Sequence, residues 1–406
     1  MTADNEANGQ NSAASTEKAT STGDLLSPLH KNCFHVPHLP FDLVADILCR
    51  LPVKHLLQLR CVCKSWNSLI AGDSMFAKKH LRLSTSNHEH HHLILTPELS
   101  SKEELVVCQS PISSILSFAS NTSIKQLRYS IGEILIKEGD YRASTCDGII
   151  CFKIDDCSAL LCNPSIRKFK ILPPLKIRRR SDFVITYTLV YDRFINNYKV
   201  IALAASGYKI EVKVHTFGTN GWRRVRDYFP GPNLFPMAEP GIFVNDSANW
   251  LTYNSADWLT HGSPCYGMLI VSLNLEKKSF QKLALPFFEH FINPSMTLGT
   301  LRGCLSLLRS DKFSDIWIMK EYGNENSWTK LVTLPSREES HFYYCTKALY
   351  ISSDDQVLME CCTGDGNNLV VYDSINNTFN IPKFQNNIHS MKVAHDLYVE
   401  SLISPL

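Results

Sequence analysis

The sequence has almost no net charge and no long apolar run. Its 406 residues include 41 lysines and arginines against 39 aspartates and glutamates, which gives a formal charge of +2. So neutral a chain has no electrostatic footprint for nucleic acid or for an anionic membrane. The most leucine-rich stretch, residues 39–63, is interrupted by two prolines and five charged side chains. It is therefore too polar for a transmembrane helix.

Sequence motifs of catalysis and of zinc binding are missing as well. The chain has no GxSxG, HExxH, P-loop or GxGxxG pattern. Although it has 14 cysteines, the pairs Cys61/Cys63 and Cys361/Cys362 lack the CxxC…CxxC spacing of a zinc site. The run HEHHH that begins at His88 is expected to be a solvated loop. The sequence thus predicts no catalytic residue, no metal and no cofactor.

The amino-terminal residues 1–34 are expected to be a disordered leader. Residues 1–28 are polar and lack both the basic n-region and the apolar core of a secretory signal. Without an export signal, the cysteines are expected to be reduced and the protein to lie in the cytoplasm, the nucleus or both.

Residues 35–82 have apolar side chains at helical spacing. Pro40 suits the first position of one helix and Pro52 begins a second, because proline is tolerated where the amide would be unpaired. Trp66 lies in a third helix, and Ser74 is expected to cap a fourth. So small a module cannot bury all its leucines by itself. Either a partner or the rest of the chain covers them, and composition leaves both possibilities open.

The pattern LPxxLxxxILxRLPxxxLLxxRxVxKxWxxLI, which runs from Leu39 to Ile70, resembles the F-box. The resemblance implies binding to a Skp-type adaptor, and through it to a cullin, within an SCF-type ubiquitin ligase. Arg60 and Lys64 are either salt-bridge donors to the adaptor or part of a solvated helix face. The implied adaptor-binding residues are Leu39, Pro40, Leu43, Ile47, Leu48, Leu51, Pro52, Leu56, Leu57, Arg60, Val62, Lys64 and Trp66.

From residue 93 onward, short alternating strands replace the helical spacing. A strand, a polar turn and an aromatic residue that opens the next strand recur five times, with steps of 53, 58, 48 and 51 residues between the aromatics. An earlier hairpin turn precedes each copy, so one period holds about four strands. The repeat aromatics are Phe169, Trp222, Phe280, Trp328 and Phe379. The hairpin turns are expected at Asp147-Gly148, Asn196-Asn197, Asn245-Asp246, Arg302-Gly303 and Asp354-Asp355.

The predicted fold is therefore an α+β multidomain protein. A helical module at residues 35–82 and a histidine-rich linker at 83–92 precede an all-β, kelch-like β-propeller at 93–406. About six blades are expected, within a range of five to seven, because four antiparallel strands per ~50 residues suit a propeller. Residues 93–136 form a degenerate blade, and the carboxyl-terminal stretch from Leu397 is expected to close the ring. A β-sandwich with coincidental spacing of aromatics is the alternative.

Three stretches of the second half, CDGIICFKIDDCSALLCNPSIRKFKILPP, YDRFINNYKVIAL and YVESLISP, are similar to the F-box-associated interaction domain of plant F-box proteins. This resemblance implies a non-catalytic receptor that recruits an unidentified target protein for ubiquitination. One alternative is an F-box protein that sequesters or scaffolds its partner without delivering it for degradation. Another is a propeller that binds a glycan or a small molecule, with or without catalysis.

Overall fold

The change from helical to alternating spacing coincides with a change from helices to sheets in the computed structural model of the protein. The structure describes residues 39–96, 104–117, 122, 124–130, 142–155, 157–177, 184–206, 209–225, 234–254, 267–288, 295–310, 314–335, 344–363, 366–384 and 394–406. The predicted leader at residues 1–34 lies outside these ranges. Asp42–Leu406 form one compact unit, and of the unit before it, Met1–Phe41, only residues 39–41 are described.

Four short helices arise from the leucine-rich sequence. They are α1 (Phe41–Leu48), α2 (Val53–Leu59), α3 (Lys64–Gly72) and α4 (Ser74–Ser86). The first ends ahead of Pro52, since the residue before a proline avoids the helical conformation. The cap of α4 differs from the predicted Ser74. It is Asp73, whose carboxylate accepts hydrogen bonds from the backbone amides of Met75 at 2.7 Å and Phe76 at 3.1 Å.

The stretch at residues 83–92 is not the linker that the sequence predicts, and the HEHHH run within it is only partly solvated, with His88 and Glu89 exposed but His90 and His92 buried. The first four residues of the stretch complete α4, a 3₁₀ turn occupies His88–His90, and the first strand begins at His91. The ring of His92 is buried. The ring is buried because it has a polar partner that is distant in the sequence. The carboxylate of Glu400 lies 3.4 Å from Nε2 of this ring.

Within the described ranges, 25 strands form six antiparallel sheets, which are the blades of a propeller. Blade 1 contains β1 (His91–Thr96), β2 (Glu104–Pro111) and β3 (Lys125–Ser130), with a short helix α5 (Ile112–Leu116) after β2. Blade 2 contains β4 (Ala143–Cys146), β5 (Ile149–Lys153), β6 (Ala159–Asn163) and β7 (Lys168–Ile171). Blade 3 contains β8 (Val184–Asp192), β9 (Asn197–Ser206), β10 (Lys209–Thr216) and β11 (Trp222–Arg224).

The remaining blades follow the same order. Blade 4 contains β12 (Leu234–Pro236), β13 (Ile242–Val244), β14 (Ser247–Asn254), β15 (Leu269–Asn274) and β16 (Ser279–Leu283). Blade 5 contains β17 (Ser295–Leu301), β18 (Cys304–Ser310), β19 (Ser314–Met319) and β20 (Trp328–Leu334). Blade 6 contains β21 (Tyr344–Ile351), β22 (Gln356–Thr363), β23 (Gly366–Asp373) and β24 (Thr378–Asn380). The last strand, β25 (Ala394–Val399), belongs to blade 1.

Blade 1 closes the ring with strands from both ends of the propeller sequence. The closing strand β25 pairs with β1, so that Ala394 lies opposite Thr96 and Val399 opposite His91. It also touches β4 and β21, the innermost strands of blades 2 and 6, and is therefore the innermost strand of its own blade. Six blades and closure by the carboxyl-terminal strand are thus confirmed. A closed ring leaves only short strand edges exposed.

Each pair of neighbouring blades shares its own buried core. One such core joins blades 5 and 6, where Ile316 and Val370 are among the fully buried side chains. Four others lie between blades 1 and 2, 3 and 4, 4 and 5, and 6 and 1. The core between blades 2 and 3 also takes in side chains of the helices. Every blade therefore depends on its neighbours to cover both of its faces.

Two of the predicted turns adopt conformations that require particular residues. Asp147 and Arg302 have φ angles of 52° and 51°, and each is followed by a glycine with positive φ. Two such residues in succession form the hairpin turn whose twist matches that of the flanking strands. At Gly148 a side chain would also collide with neighbouring backbone, because a Cβ atom there would lie 2.4 Å from the carbonyl oxygen of Val399.

The five repeat aromatics all lie at the first or second position of the outermost strand of a blade. They are Phe169 in β7, Trp222 in β11, Phe280 in β16, Trp328 in β20 and Phe379 in β24. The two tryptophans also bind the preceding blade. The indole Nε1 of Trp222 donates a hydrogen bond to the carbonyl of Pro173 at 2.7 Å, and that of Trp328 donates to the carbonyl of Ala284 at 3.0 Å.

Replacing Trp328 by alanine is expected to lower the free energy of unfolding by roughly 3–5 kcal/mol. The ring is buried and its bond to the preceding blade is lost. Chemical denaturation measures the change. The Trp222→Ala variant is the comparison. The ring of Trp222 is only half-buried, so its removal should lower the free energy of unfolding by less. Equal losses in both variants, or none at Trp328, would contradict the assigned role of these rings.

Candidate functional site

Helix α1 has two adjoining apolar faces. Val44 and Leu48 lie on the inner face, and Leu48 is only 2% exposed. Leu43 and Ile47, one turn apart on the other face, are 49% and 55% exposed. Residues four apart lie above one another on a helix, so this second face forms a continuous apolar strip. We call Leu43 and Ile47 the α1 outer face. In the part of the chain that the structure describes, nothing covers it.

Further predicted adaptor-binding residues are also exposed. Large apolar side chains that remain in water together mark interaction surfaces more often than single ones do. Phe41, the first residue of α1, is exposed as well, although it is not among the predicted adaptor-binding residues. The exposed predicted residues besides the α1 outer face are Leu39, Pro40, Arg60, Val62 and Lys64.

Two of the predicted adaptor-binding residues are buried by their own chain. Leu48 and Leu56 are 2% and 0% exposed and belong to the core that the helices share with the propeller. In this packing they offer no surface to a separate protein. The F-box pattern requires leucine on both sides of a helix and does not distinguish the side that faces inward. The remaining predicted residues, which are half-buried, are Leu51, Pro52, Leu57 and Trp66.

Exposed polar contacts orient the helices around this surface. The guanidinium Nε of Arg60 donates to Oδ1 of Asn67 at 2.9 Å, which links the end of α2 to α3. Lys79 of α4 forms an ion pair with Asp46 of α1. The hydrogen bond and the charges of this pair lower the pKa of Asp46 and raise that of Lys79. An exposed pair of this kind adds little stability, so its effect is mainly on orientation.

The helical module and the propeller are joined by a shared core and by polar contacts. Val53 of α2 is fully buried in the same cluster as Leu161 of blade 2 and Leu402 near the carboxyl terminus. On α4, the ammonium of Lys78 donates to the hydroxyl of Tyr191 at 3.1 Å and also binds the side chain of Asn196. Apolar packing and directional bonds together fix the module against blades 2 and 3.

Glu400, directly after the closing strand, forms the centre of a polar cluster at this joint. Its carboxylate accepts a hydrogen bond from the backbone amide of Val53 at 3.3 Å and lies 3.4 Å from His92 Nε2 and 3.9 Å from His90 Nδ1. Burial alone would raise its pKa, but these three groups outweigh burial and lower it. The carboxylate is therefore charged at neutral pH.

A second group of histidines lies next to this carboxylate. His80 of α4 donates from Nε2 to the carbonyl of Leu51 at 2.9 Å. The hydroxyl oxygen of Ser84 lies 3.4 Å from His80 Nδ1 and 3.5 Å from His90 Nδ1. Burial lowers the pKa of both histidines, so both rings are neutral at neutral pH. Sequence reasoning did not find this cluster, because its members come from three distant segments.

The two ends of the propeller's central channel differ. At one end, Leu81 and Thr85 of α4 face the hairpin turns of blades 2 and 5 across a cavity of about 410 Å³. The helical module covers this end. At the other end, where the innermost strands begin, the channel widens into a cavity of about 730 Å³. We call this the open cavity.

The wall of the open cavity presents both signs of charge. One ion pair joins Arg142 to Glu239 with an N–O distance of 3.3 Å, and another joins Lys347 to Asp396 at 3.5 Å. Apolar side chains such as Met296 lie between them. The charged residues of the lining are Arg142, Glu239, Lys347, Glu360 and Asp396.

The described residues contain neither a candidate membrane span nor a candidate metal site. The helices there are too short or too polar to cross a membrane. Likewise, no group of three or more histidine, cysteine, aspartate or glutamate side chains among those residues is arranged to hold a metal ion.

The sequence is similar to two known protein families. The model of the F-box domain matches residues 36–78, and the model of the F-box associated beta propeller domain matches residues 105–405. Neither description is that of an enzyme. An F-box/kelch-repeat protein of Arabidopsis thaliana is 31% identical over 91% of this chain and 96% of its own length. F-box protein CPR1 of the same plant is 25% identical over 79% of each chain.

Acidification is expected to weaken the joint between module and propeller. His80 and His90 have lowered pKa values in the folded protein, so the unfolded chain binds more protons and stability falls as the pH drops below about 6.5. Because the pKa of Glu400 is also lowered, its contribution is lost as the pH falls further through its folded-state pKa. Denaturation across this pH range measures the effect.

The matched control for this prediction is a histidine that faces solvent. His80→Gln should flatten the dependence of stability on pH, since one of the groups that gains a proton on unfolding is gone. His55→Gln, on the exposed side of α2, should leave the dependence unchanged. Identical pH profiles for His80→Gln and the unmodified protein would contradict the role given to this cluster.

Proposed function

Because the chain belongs to the family of F-box proteins that carry an F-box-associated β-propeller domain, we propose that it is the substrate-recognition subunit of an SCF-type ubiquitin ligase. In this role it binds a Skp-type adaptor, and through the adaptor a cullin and a RING protein. The propeller recruits a target protein. The observation that carries the proposal is the α1 outer face, which remains exposed although the inner face of the same helix is packed into the core that the helices share with the propeller.

The α1 outer face supports adaptor binding on energetic grounds. Covering one large aliphatic side chain contributes about 1.5–3 kcal/mol. Leu43 and Ile47 together, with Val62 in the turn before α3, therefore offer several kcal/mol to a partner that brings a matching apolar groove. The choice of a Skp-type adaptor as the partner of this surface rests on the family resemblance. The exposed charges of Arg60 and Lys64, which follow α2 and begin α3, suit an acidic counterpart.

The rigid joint supports a role in presenting a target. A receptor subunit acts by proximity, because it holds the target near the ubiquitin-charged enzyme without making or breaking a bond itself. Such action needs a fixed distance between the adaptor-binding and the target-binding surfaces. The shared core and the Glu400 cluster provide that stiffness. A flexible connection would lower the effective concentration of target lysines at the enzyme.

We place target binding at the open cavity. The helical module occupies the opposite end of the channel, so the open cavity and the loops around it remain for a second protein. Its mixture of ion pairs and apolar side chains suits a polar protein segment. The proposed site of action is the cytoplasm, the nucleus or both.

Replacing Ile47 by aspartate is expected to reduce binding of the Skp-type adaptor at least tenfold, because a charge would be buried in an apolar contact. Affinity to the purified adaptor measures this. Ile375→Asp is the matched control, since the same change is made at an isoleucine on blade 6 that is 76% exposed. Both variants should melt at the temperature of the unmodified protein. Equal adaptor affinity in the two variants would refute the interface.

The fate of captured proteins separates delivery for degradation from sequestration. Proteins labelled by proximity to the Leu43→Asp/Ile47→Asp variant should include targets that disappear faster in cells with the unmodified chain. Blocking the proteasome should equalise their half-lives. Targets whose half-lives respond neither to the variant nor to the block would favour a scaffold or sequestering protein over a ligase subunit.

A further inference from the structure

Two buried cysteines face each other across neighbouring strands, next in sequence to residues that line the open cavity. Cys345 on the innermost strand β21 lies opposite Cys361 on β22 in the register of the sheet. Their sulfur atoms are 2.9 Å apart. Both belong to the core between blades 5 and 6, where Cys345 is 7% and Cys361 0% exposed. Of the 12 described cysteines, all carry free thiols.

The backbone geometry of this pair favours a bond between the two sulfurs. The amide of Cys345 donates to the hydroxyl oxygen of Ser310 in blade 5 at 3.1 Å. This amide therefore does not bond to Cys361 across the two strands. The two cysteines form a non-hydrogen-bonded pair of the antiparallel sheet. Side chains approach more closely in such pairs than in hydrogen-bonded ones. The sulfurs need to move by less than about 1 Å to reach the bond length of a disulfide.

We propose that Cys345 and Cys361 form a reversible, peroxide-sensitive disulfide. In the first step one thiolate attacks an oxygen of the peroxide. The O–O bond breaks, hydroxide leaves and takes up a proton, and a sulfenic acid remains. In the second step the other thiol attacks that sulfur, its proton passes to the departing hydroxyl group, and water leaves. Two thiols are oxidised and one hydrogen peroxide is reduced to two waters.

The surroundings assign different roles to the two thiols. The hydrogen bond with Cys361 lowers the pKa of Cys345, whereas burial raises that of Cys361. Since the thiolate is the nucleophile, Cys345 reacts first and Cys361 resolves the sulfenic acid. Cys108 provides a contrast, because burial raises its pKa to about 11. Both reacting thiols are buried, so a small oxidant reaches them through local opening of the strand.

The disulfide would act on the wall of the open cavity. Thr346 and Lys347 follow Cys345 on β21, Glu360 precedes Cys361 on β22, and all three line the cavity. The hydroxyl of Thr346 donates to the carboxylate of Glu360 at 3.0 Å. A covalent link directly beside these residues would limit the movement of the two strands there. An effect on target binding rests on the proposed function, but formation of the disulfide does not.

The experiment treats the full-length folded protein with a small molar excess of hydrogen peroxide and then blocks the remaining thiols. Mass spectrometry of the intact chain should show the loss of two hydrogens, and peptide mapping should locate the link at Cys345 and Cys361. Dithiothreitol should reverse it. Because Cys362 is adjacent, Cys362→Ser serves as the matched variant and should still form the link. Cys361→Ser should lose it, as should Cys345→Ser.

The treated, unmodified protein decides the outcome even if a variant folds poorly. A link between Cys345 and Cys361 that forms below the peroxide concentration needed to oxidise Cys108 supports the proposal. Several other results would overturn it: no link in the folded protein, a link through Cys362 instead, or a link that appears only after unfolding. Failure of adaptor or target binding would bear on the proposed function and not on this site.

Discussion

The apolar core shared by the helices and blades 2 and 3 is the interaction on which the rest of the structure depends. Four short helices cannot bury their leucines among themselves. Val53, Leu48 and Leu56 are instead covered by the propeller. At about 1.5–3 kcal/mol for each such side chain, their burial contributes roughly as much as the whole net stability of an ordinary domain. The module is consequently folded and rigidly placed by the same contacts.

This core also explains why one helix can serve two purposes. Leu48 packs into the core from the inner face of α1. Ile47, its neighbour in sequence, lies on the outer face and stays exposed. Ring closure is part of the same arrangement. Glu400 follows the closing strand and accepts from the amide of Val53, so the last strand of blade 1 and the second helix stabilise each other. The folding of the module and the closing of the ring are therefore coupled, although their sequences lie at opposite ends of the chain.

The sequence predicts those features of the fold that depend on local spacing. Helix ends at proline, the hairpin turn at Asp147 and the positions of the repeat aromatics all follow from a few neighbouring residues. The sequence predicts which residues are candidates for the partner surface but not which of them face outward. Leu48 and Ile47 are equally apolar, and only the position of the propeller decides that the first is buried and the second exposed. The Glu400 cluster depends on contacts 347 residues apart. No local pattern carries that information, and for the same reason residues 83–92 were predicted as a linker.

The position of the helices determines which end of the propeller channel remains uncovered. A propeller by itself has two accessible channel ends. Here Leu81 and Thr85 of α4 face the hairpin turns of blades 2 and 5 across a cavity, so one end is occupied by the helical module. The wide end carries the ion pairs of Arg142 and Lys347. A single packing arrangement thus covers one end of the channel with the helical module and leaves the charged lining of the other end uncovered.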